Sequence, residues 1–377
     1  MKICLIGPTY PYRGGISQYT TSLSQHLRDR HQVRLYSYTR QYPRLLFPGR
    51  TDRDPSCLPL KAECQYLVDP VNPWTWLRTF WEMKRDDPDL LILQWWVPYW
   101  TPTLAAISFL VKTFTPIKVL YICHNIMPHD GGGILDRSLA RFVLRHGDHF
   151  IVHSEKDLER LQSLLPGASV RKAFIPPCSV FNTVSLSSEE AKRDLGLRGR
   201  TILFFGFVRP YKGLEVVLRA LPDVVERVGA HLLVVGEFWT DESVYTALIR
   251  DLGLEGHVTI VNRYVPNEKV GLYFAASDVV VLPYVEATQS AVVPIAYSFH
   301  KPVITTDVGG LAEVVRDGVT GLIVPPRDSV ALAKAMIRYF EDDLGRRFVP
   351  HIRAQMAGEA FSWGRLVQLI EEFCPWP

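Results

Sequence analysis

Short apolar, strand-type runs alternate with helix-type stretches along almost the whole chain. Residues 2–6 read as a strand, 16–30 repeat apolar residues at helical spacing, and 33–37 read as a strand again. Further strand runs stand at 90–94, 119–123 and 150–153, and Ser154 after the last is a good N-cap for a helix over 155–165. Such alternation predicts mostly parallel sheets with helices on both faces. It breaks at 174–200, where Pro176 and Pro177 stop a strand and the polar run 185–188 leads into a short helix ending at Gly196. A second series begins at 201–205 and continues at 231–235, 258–261, 278–282, 303–305 and 322–324. The expected fold is α/β, two Rossmann-like domains facing a cleft, over 1–178 and 179–360. Ligands in such sheets bind beyond the carboxyl ends of the strands, so the residues just after each strand carry the functional argument.

Size and charge narrow the classes. A chain of 377 residues suits two domains, and 47% hydrophobic with 21% charged residues excludes bulk disorder. A net charge of +3 gives no reason to expect nucleic acid as a partner. The halves differ: 22 basic against 15 acidic residues up to Cys178 (net +7), then 20 against 24 (net −4). A basic first half fits a face that meets something anionic. The six cysteines show no CxxC pair or metal-type spacing and read as small buried hydrophobes. The chain starts directly on a strand with no leader pattern, and the apolar stretch 97–111 is broken by Pro102. The expectation is a cytoplasmic protein.

The most specific segment is 301–328. An apolar run ends in a turn with Gly309–Gly310, an amphipathic helical turn follows, and a second apolar run closes the unit; ATQS at 287–290 precedes it. Strand, glycine turn, helix and strand form a unit suited to phosphate-bearing ligands. This block resembles the donor-nucleotide half of retaining glycosyltransferases of the GT-B fold, family 4. The resemblance covers most of the chain and is denser in its second half. It implies a nucleotide-sugar as donor substrate, no cofactor, a sugar or lipid-linked acceptor, and a last helix (361–377) that crosses back to the first domain.

Other segments fall in the order the resemblance expects. Gly14 and Gly15, between the first strand and its helix, let backbone N–H groups approach an anion, and are assigned to the diphosphate or acceptor mouth. His124 follows an apolar strand where relatives carry a histidine; imidazole there can hydrogen-bond a sugar hydroxyl or orient a leaving group. Asn125, His129 and Asp130 are weaker candidates. Arg209 and Lys212, between strand and helix in the second domain, suit a diphosphate leaving group. Gly236 and Glu237 would shape the nucleotide wall, and 261–265, with Arg263 and Tyr264, resembles the segment beside the nucleobase.

Two departures stand out. Relatives commonly carry Arg where this chain has Phe207, so Arg209 would serve the pocket from two positions on. Many also carry two glutamates eight apart, at positions that fall on Ala287 and Ile295 here. Glu286 is one residue from the first, and Thr288, Gln289 and Ser290 would instead offer hydroxyl, amide and backbone N–H groups. The acidic pairs Asp86–Asp87 and Asp342–Asp343 sit in polar helix-like or loop contexts, and no metal is expected. The reading is a metal-independent, retaining glycosyltransferase, acting by front-face departure and attack in cell-surface polysaccharide or glycolipid synthesis. A non-catalytic nucleotide-sugar-binding homologue, or a GT-B epimerase or phosphorylase, remains the alternative. Seven arginines within 28–53, Leu45–Phe47, and Trp95, Trp96 and Trp100 suggest an anionic membrane surface as a further partner.

Overall fold

Seven strands of the first half pair into one sheet in the computed structural model, which describes residues 1–43, 47, 49–127, 133–181 and 186–374. They are β1 (Lys2–Ile6), β2 (Gln32–Tyr38), β3 (Gln65–Val68), β4 (Leu90–Trp95), β5 (Lys118–Cys123), β6 (His149–Val152) and β7 (Ser169–Lys172), ordered β3-β2-β1-β4-β5-β6-β7 and all parallel. β4, buried at every residue, pairs Leu90 with Ile3 on one side and Lys118 on the other. That burial on both faces is why its sequence is continuously apolar. Side chains alternate between two cores. Cys4, Leu91, Leu93 and Tyr121 meet α2 (Pro73–Asp86), α3 (Thr101–Phe114), α4 (Ile134–Leu144) and α5 (Glu155–Leu164). Ile3, Leu5, Ile92 and Ile122 meet α1 (Gly15–Arg28) on the opposite face.

The second sheet has six strands, β8 (Thr201–Phe205), β9 (His231–Val235), β10 (Val258–Val261), β11 (Val279–Leu282), β12 (Val303–Thr306) and β13 (Gly321–Val324), ordered β10-β9-β8-β11-β12-β13. α6 (Ser188–Asp194) leads in, α7 (Leu214–Val228), α8 (Glu242–Asp251) and α9 (Asn267–Ala276) follow successive strands, and α10 (Val292–Ser298), α11 (Leu311–Val314), α12 (Ser329–Glu341) and α13 (Leu344–Ala357) complete the layers. The last helix, α14 (Trp363–Phe373), packs on α1, burying Trp363, Leu366, Val367, Leu369 and Ile370 in the first unit's core.

The chain thus forms two compact units, Met1–Asp54 with Leu60–Ile175 and Ser362–Pro377, and Pro55–Pro59 with Pro176–Phe361. The short segment 55–59 is fastened to α9: Ser56 Oγ accepts from the Asn267 amide at 2.9 Å, and Glu268 Oε1 from the Cys57 amide at 3.0 Å. No helix among the described residues is long and apolar enough to cross a membrane.

One expectation is corrected. Trp95, Trp96 and Trp100 are 1%, 5% and 0% exposed; they are core, with Trp100 stacked on Tyr38 at 4.1 Å between ring centroids. An aromatic residue after a strand can fold back over the sheet as readily as face solvent. Several of the arginines near them are ion-paired, Arg30 with Glu371, Arg34 with Asp86 and Arg40 with Asp69. Arg44, Leu45, Leu46, His129, Asp130 and Ser185 lie outside the described residues.

Candidate functional site

In the second unit, five loops converge at the carboxyl edge of the sheet because backbone contacts tie them together. Gly206, just after β8, has φ +110°, and Gly236, just after β9, has φ +152°. A Cβ on Gly236 would fall 1.9 Å from Gly206 O, so only glycine lets these two strand ends approach so closely. Pairing then resumes beyond the strands: Val208 N donates to Glu237 O and Trp239 N to Val208 O, at 2.9 and 3.0 Å. Glu237 is 2% exposed.

The loop Arg209–Gly213 makes a single 3₁₀ turn before α7. Tyr211 O accepts from the Val285 amide at 2.7 Å, fixing this loop to the one after β11. Lys212 stands between them. Its Nζ lies 5.2 Å from the Tyr284 ring centroid, and about the spot where a Cβ on Gly206 would sit, 3.0 Å away. Among the described residues no carboxylate pairs with it. Burial pulls its pKa below the usual lysine value, with the neighbouring Arg209 adding to the fall and Tyr211 opposing it.

Next comes the ATQS loop. Thr288 O accepts from the Gly310 amide at 2.7 Å, and Gly309, at φ +54°, faces Ala287 O where a Cβ would come within 2.1 Å. Thr288 is 2% exposed, and Ser290 Oγ accepts from the Val292 amide at 3.2 Å. The buried Gln289 Oε1 has no hydrogen-bond partner among the described residues. Glu286 is half-buried, its amide 3.4 Å from Tyr211 O. Ala287 and Ile295, the positions where the family resemblance places glutamates, are packed into the core at 3% and 8% exposure.

One feature escaped the sequence reading. Three aromatic rings from three successive strand ends stack together: Phe207 with Trp239 at 4.4 Å and with Tyr264 at 5.9 Å between centroids. The Arg209 guanidinium lies 5.5 Å from the Trp239 ring centroid. The rings stand two, four and three residues past β8, β9 and β10, so no shared spacing marks them in the sequence. Arg263 is exposed and reaches Tyr273 OH at 3.4 Å.

In the first unit, His124 follows β5 and is 4% exposed, with Nε2 2.7 Å from Gln94 Oε1. Since a carbonyl oxygen only accepts, Nε2–H donates, leaving Nδ1 an acceptor on the neutral ring. Burial, then the His153 ring 5.4 Å away, hold its pKa well below the usual histidine value. Gly7 makes room for Gln94, whose Cγ would sit 2.8 Å from a Cβ there. Gly14, at φ +105°, caps α1 with open space around it and around Gly15. His124, Gly14 and Gly15 therefore belong to one unit, and Arg209, Lys212, Gly236, Glu237, Arg263, Tyr264 and 286–290 to the other. Among the described residues, no group of three or more His, Cys, Asp or Glu side chains could hold a metal ion.

Comparison with known proteins gives the class. The family described as Glycosyltransferase Family 4 matches residues 13–178, and that described as Glycosyl transferases group 1 matches residues 199–342. The chain is 30% identical over 302 residues to the D-inositol 3-phosphate glycosyltransferase of Corynebacterium diphtheriae, covering 72% of this chain and 68% of that one. The enzyme of the same name from Corynebacterium efficiens is 28% identical over 56% of this chain and 50% of its own length. The matched region thus spans about half the length of most of these curated relatives. Among solved structures, Anabaena HepE in complex with UDP and glucose superposes with a TM-score of 0.77 at 18% identity, over 99% of this chain and 98% of that one. Sucrose-phosphate synthase from Thermosynechococcus elongatus gives 0.75 at 19%, over 98% and 97%. This chain belongs to the family 4 glycosyltransferases, and its two parallel-sheet units have the GT-B architecture.

Proposed function

We propose that the protein transfers a sugar from a nucleotide-sugar donor to an acceptor hydroxyl, with retention at the anomeric carbon and without a metal ion, in cell-surface polysaccharide or glycolipid synthesis. Lys212 is the observation that carries this reading. A half-buried ammonium with no carboxylate partner among the described residues, held at glycine-lined strand ends, is placed for an incoming diphosphate. Arg209 adds a second cation on the same loop.

In this reading the bond from the anomeric carbon to the diphosphate oxygen breaks with its electron pair going to the diphosphate. Lys212 and Arg209 stabilise the charge that develops there. The acceptor oxygen attacks from the same face and passes its proton to a donor phosphate oxygen. Gln289 Oε1 is assigned to a sugar hydroxyl and the ATQS backbone N–H groups to sugar or phosphate oxygens, in place of the two missing glutamates. His124 is assigned to a sugar hydroxyl, and its Nδ1 is the lone pair available for that. The ring stack Trp239–Phe207–Tyr264, beside the segment that resembles the base-flanking strand end, is assigned to the nucleobase. The relatives named for D-inositol 3-phosphate glycosyl transfer support an acceptor hydroxyl, and HepE, solved with UDP and glucose, supports a uridine-type donor.

Incubating the protein with a panel of nucleotide-sugars, with and without candidate acceptors, tests this. Acceptor-dependent release of nucleoside diphosphate with a new glycoside of retained configuration is the expected result. Binding without release would instead identify a non-catalytic homologue, and conversion of the sugar with no acceptor glycoside a GT-B epimerase or phosphorylase.

A further inference from the structure

The first unit carries large apolar side chains on the outside of three neighbouring helices. On α2, Thr79, Phe80 and Met83 are buried, while Trp74, Leu77 and Trp81, spaced i, i+3 and i+7, are 78%, 39% and 62% exposed. Core packing explains one apolar stripe on such a helix and leaves the second without a role. The stripe continues on α3 and α4, where Phe109, Phe114 and Phe142 are 51%, 56% and 46% exposed. Ring contacts join the three helices: Phe80 meets Trp81 at 5.5 Å and Phe114 at 6.4 Å, and His146 meets both Phe109 and Phe142 at 6.0 Å. A contiguous exposed apolar face of this kind marks an interaction surface.

Its charge identifies the partner. Lys84 Nζ lies 5.4 Å from the Trp81 ring centroid and Arg145 Cζ 4.6 Å from that of Phe142. Arg78, Arg137 and Arg141 are exposed on or beside the same helices. Of the acids there, Glu82 pairs with Arg85, Asp86 with Arg34 and Tyr36, and Asp136 accepts from the Gly133 amide, while Asp87 is exposed at the end of α2. Aromatic rings flanked by exposed cations match the boundary between phosphate headgroups and acyl chains. A second copy docking by this face would set the same positive charges against one another.

We propose that the outer face of α2, α3 and α4 docks on an anionic lipid bilayer, with Trp74, Trp81 and Phe142 entering the headgroup–acyl boundary. The surface replaces the one expected from Trp95, Trp96 and Trp100. Docking requires no glycosyl transfer, so it stands or falls separately from the proposed activity.

The test is sedimentation of the full chain with vesicles of phosphatidylcholine alone or with phosphatidylglycerol, at low and high salt. Uptake onto the anionic vesicles that weakens with salt is expected. The double variant Lys84→Gln/Arg145→Gln should lower partitioning by about 25-fold, each basic side chain near an anionic surface being worth roughly fivefold. Trp74→Ser/Trp81→Ser should also release the protein, and brominated lipid should quench the wild-type tryptophan emission more than that of this variant. All four positions are exposed, and unchanged thermal melting verifies that the variants fold. Absent uptake at low salt, equal uptake by phosphatidylcholine, or self-association of the wild type that Trp81→Ser abolishes would each overturn the proposal.

Discussion

The ammonium of Lys212 lies 3.0 Å from where a Cβ on Gly206 would stand. The glycine after β8 therefore holds the cation's place open as well as adopting φ +110°. Lys212→Ala should lower turnover by about 100-fold or more, the usual effect of losing one stabilising charge on a developing anion. Gly206→Ala should give a smaller loss by displacing the same group. Nucleoside diphosphate release under saturating donor measures both, and a normal rate in Lys212→Ala would remove it from the site.

His124 is assigned to the sugar and not to the nucleotide. His124→Ala should reduce turnover and leave the affinity for free nucleoside diphosphate unchanged. Calorimetric titration separates the two effects. Loss of nucleotide binding by a folded variant would contradict the assignment.

Phe207 stands where the family resemblance places arginine, and its ring meets both Trp239 and Tyr264. Stacking on an aromatic face contributes about 1–3 kcal/mol per base. Phe207→Ala should therefore weaken nucleoside diphosphate binding by roughly 5- to 150-fold, with Phe207→Tyr close to wild type. Equal affinities for all three proteins would place the base elsewhere.

Gly309 meets the carbonyl of Ala287 with no room for a side chain, at a φ of +54°. Gly309→Ala should cost about 2 kcal/mol or more through backbone strain and displacement of the ATQS loop. Urea unfolding reports the loss as a lower midpoint for the second unit.

Acid should loosen the first unit through His153. The ring is 3% exposed, its Nδ1 2.7 Å from Ala173 O, and burial lowers its pKa to about 4. The unfolded chain takes up this proton near pH 6.5, the folded chain only near pH 4. Its contribution is complete above pH 6.5 and is lost as pH falls between those values, by an amount on the order of 3 kcal/mol. Asp157, raised to about 6 chiefly by burial with Arg160 opposing, acts in the opposite sense, because the folded protein holds that proton more tightly. The comparison to make is wild type against His153→Gln, whose stability should fall less between pH 6.5 and 4.

Apolar runs mark the interior strands because strands covered on both faces tolerate little else, and in the second sheet they mark the edge strands β10 and β13 as well, all six within about a residue. The edge strands β3 (QYLV) and β7 (SVRK) were not found. Each has four residues, partly exposed and polar, and neither makes a pattern distinguishable from loop. Glycines at strand ends were also legible, because a backbone that must approach another backbone excludes every other residue. Ring stacking was not, since Phe207, Trp239 and Tyr264 meet only once the parallel order of β10, β9 and β8 brings their ends side by side. The same limit applied to Trp95 and Trp100, whose burial depends on helices laid over them.

The helix α14 has a consequence for how the protein is made. Its residues Trp363–Ile370 fill the core against Ile3, Leu5 and Leu23, so β1 waits for residues made after the whole second unit before that core is complete. At about 5–20 residues per second, roughly 10–40 s separate synthesis of β7 from that of α14. Until then that face of the nascent first sheet has α1 but not α14 over it, and the part α14 covers is apolar surface left for a chaperone to hold.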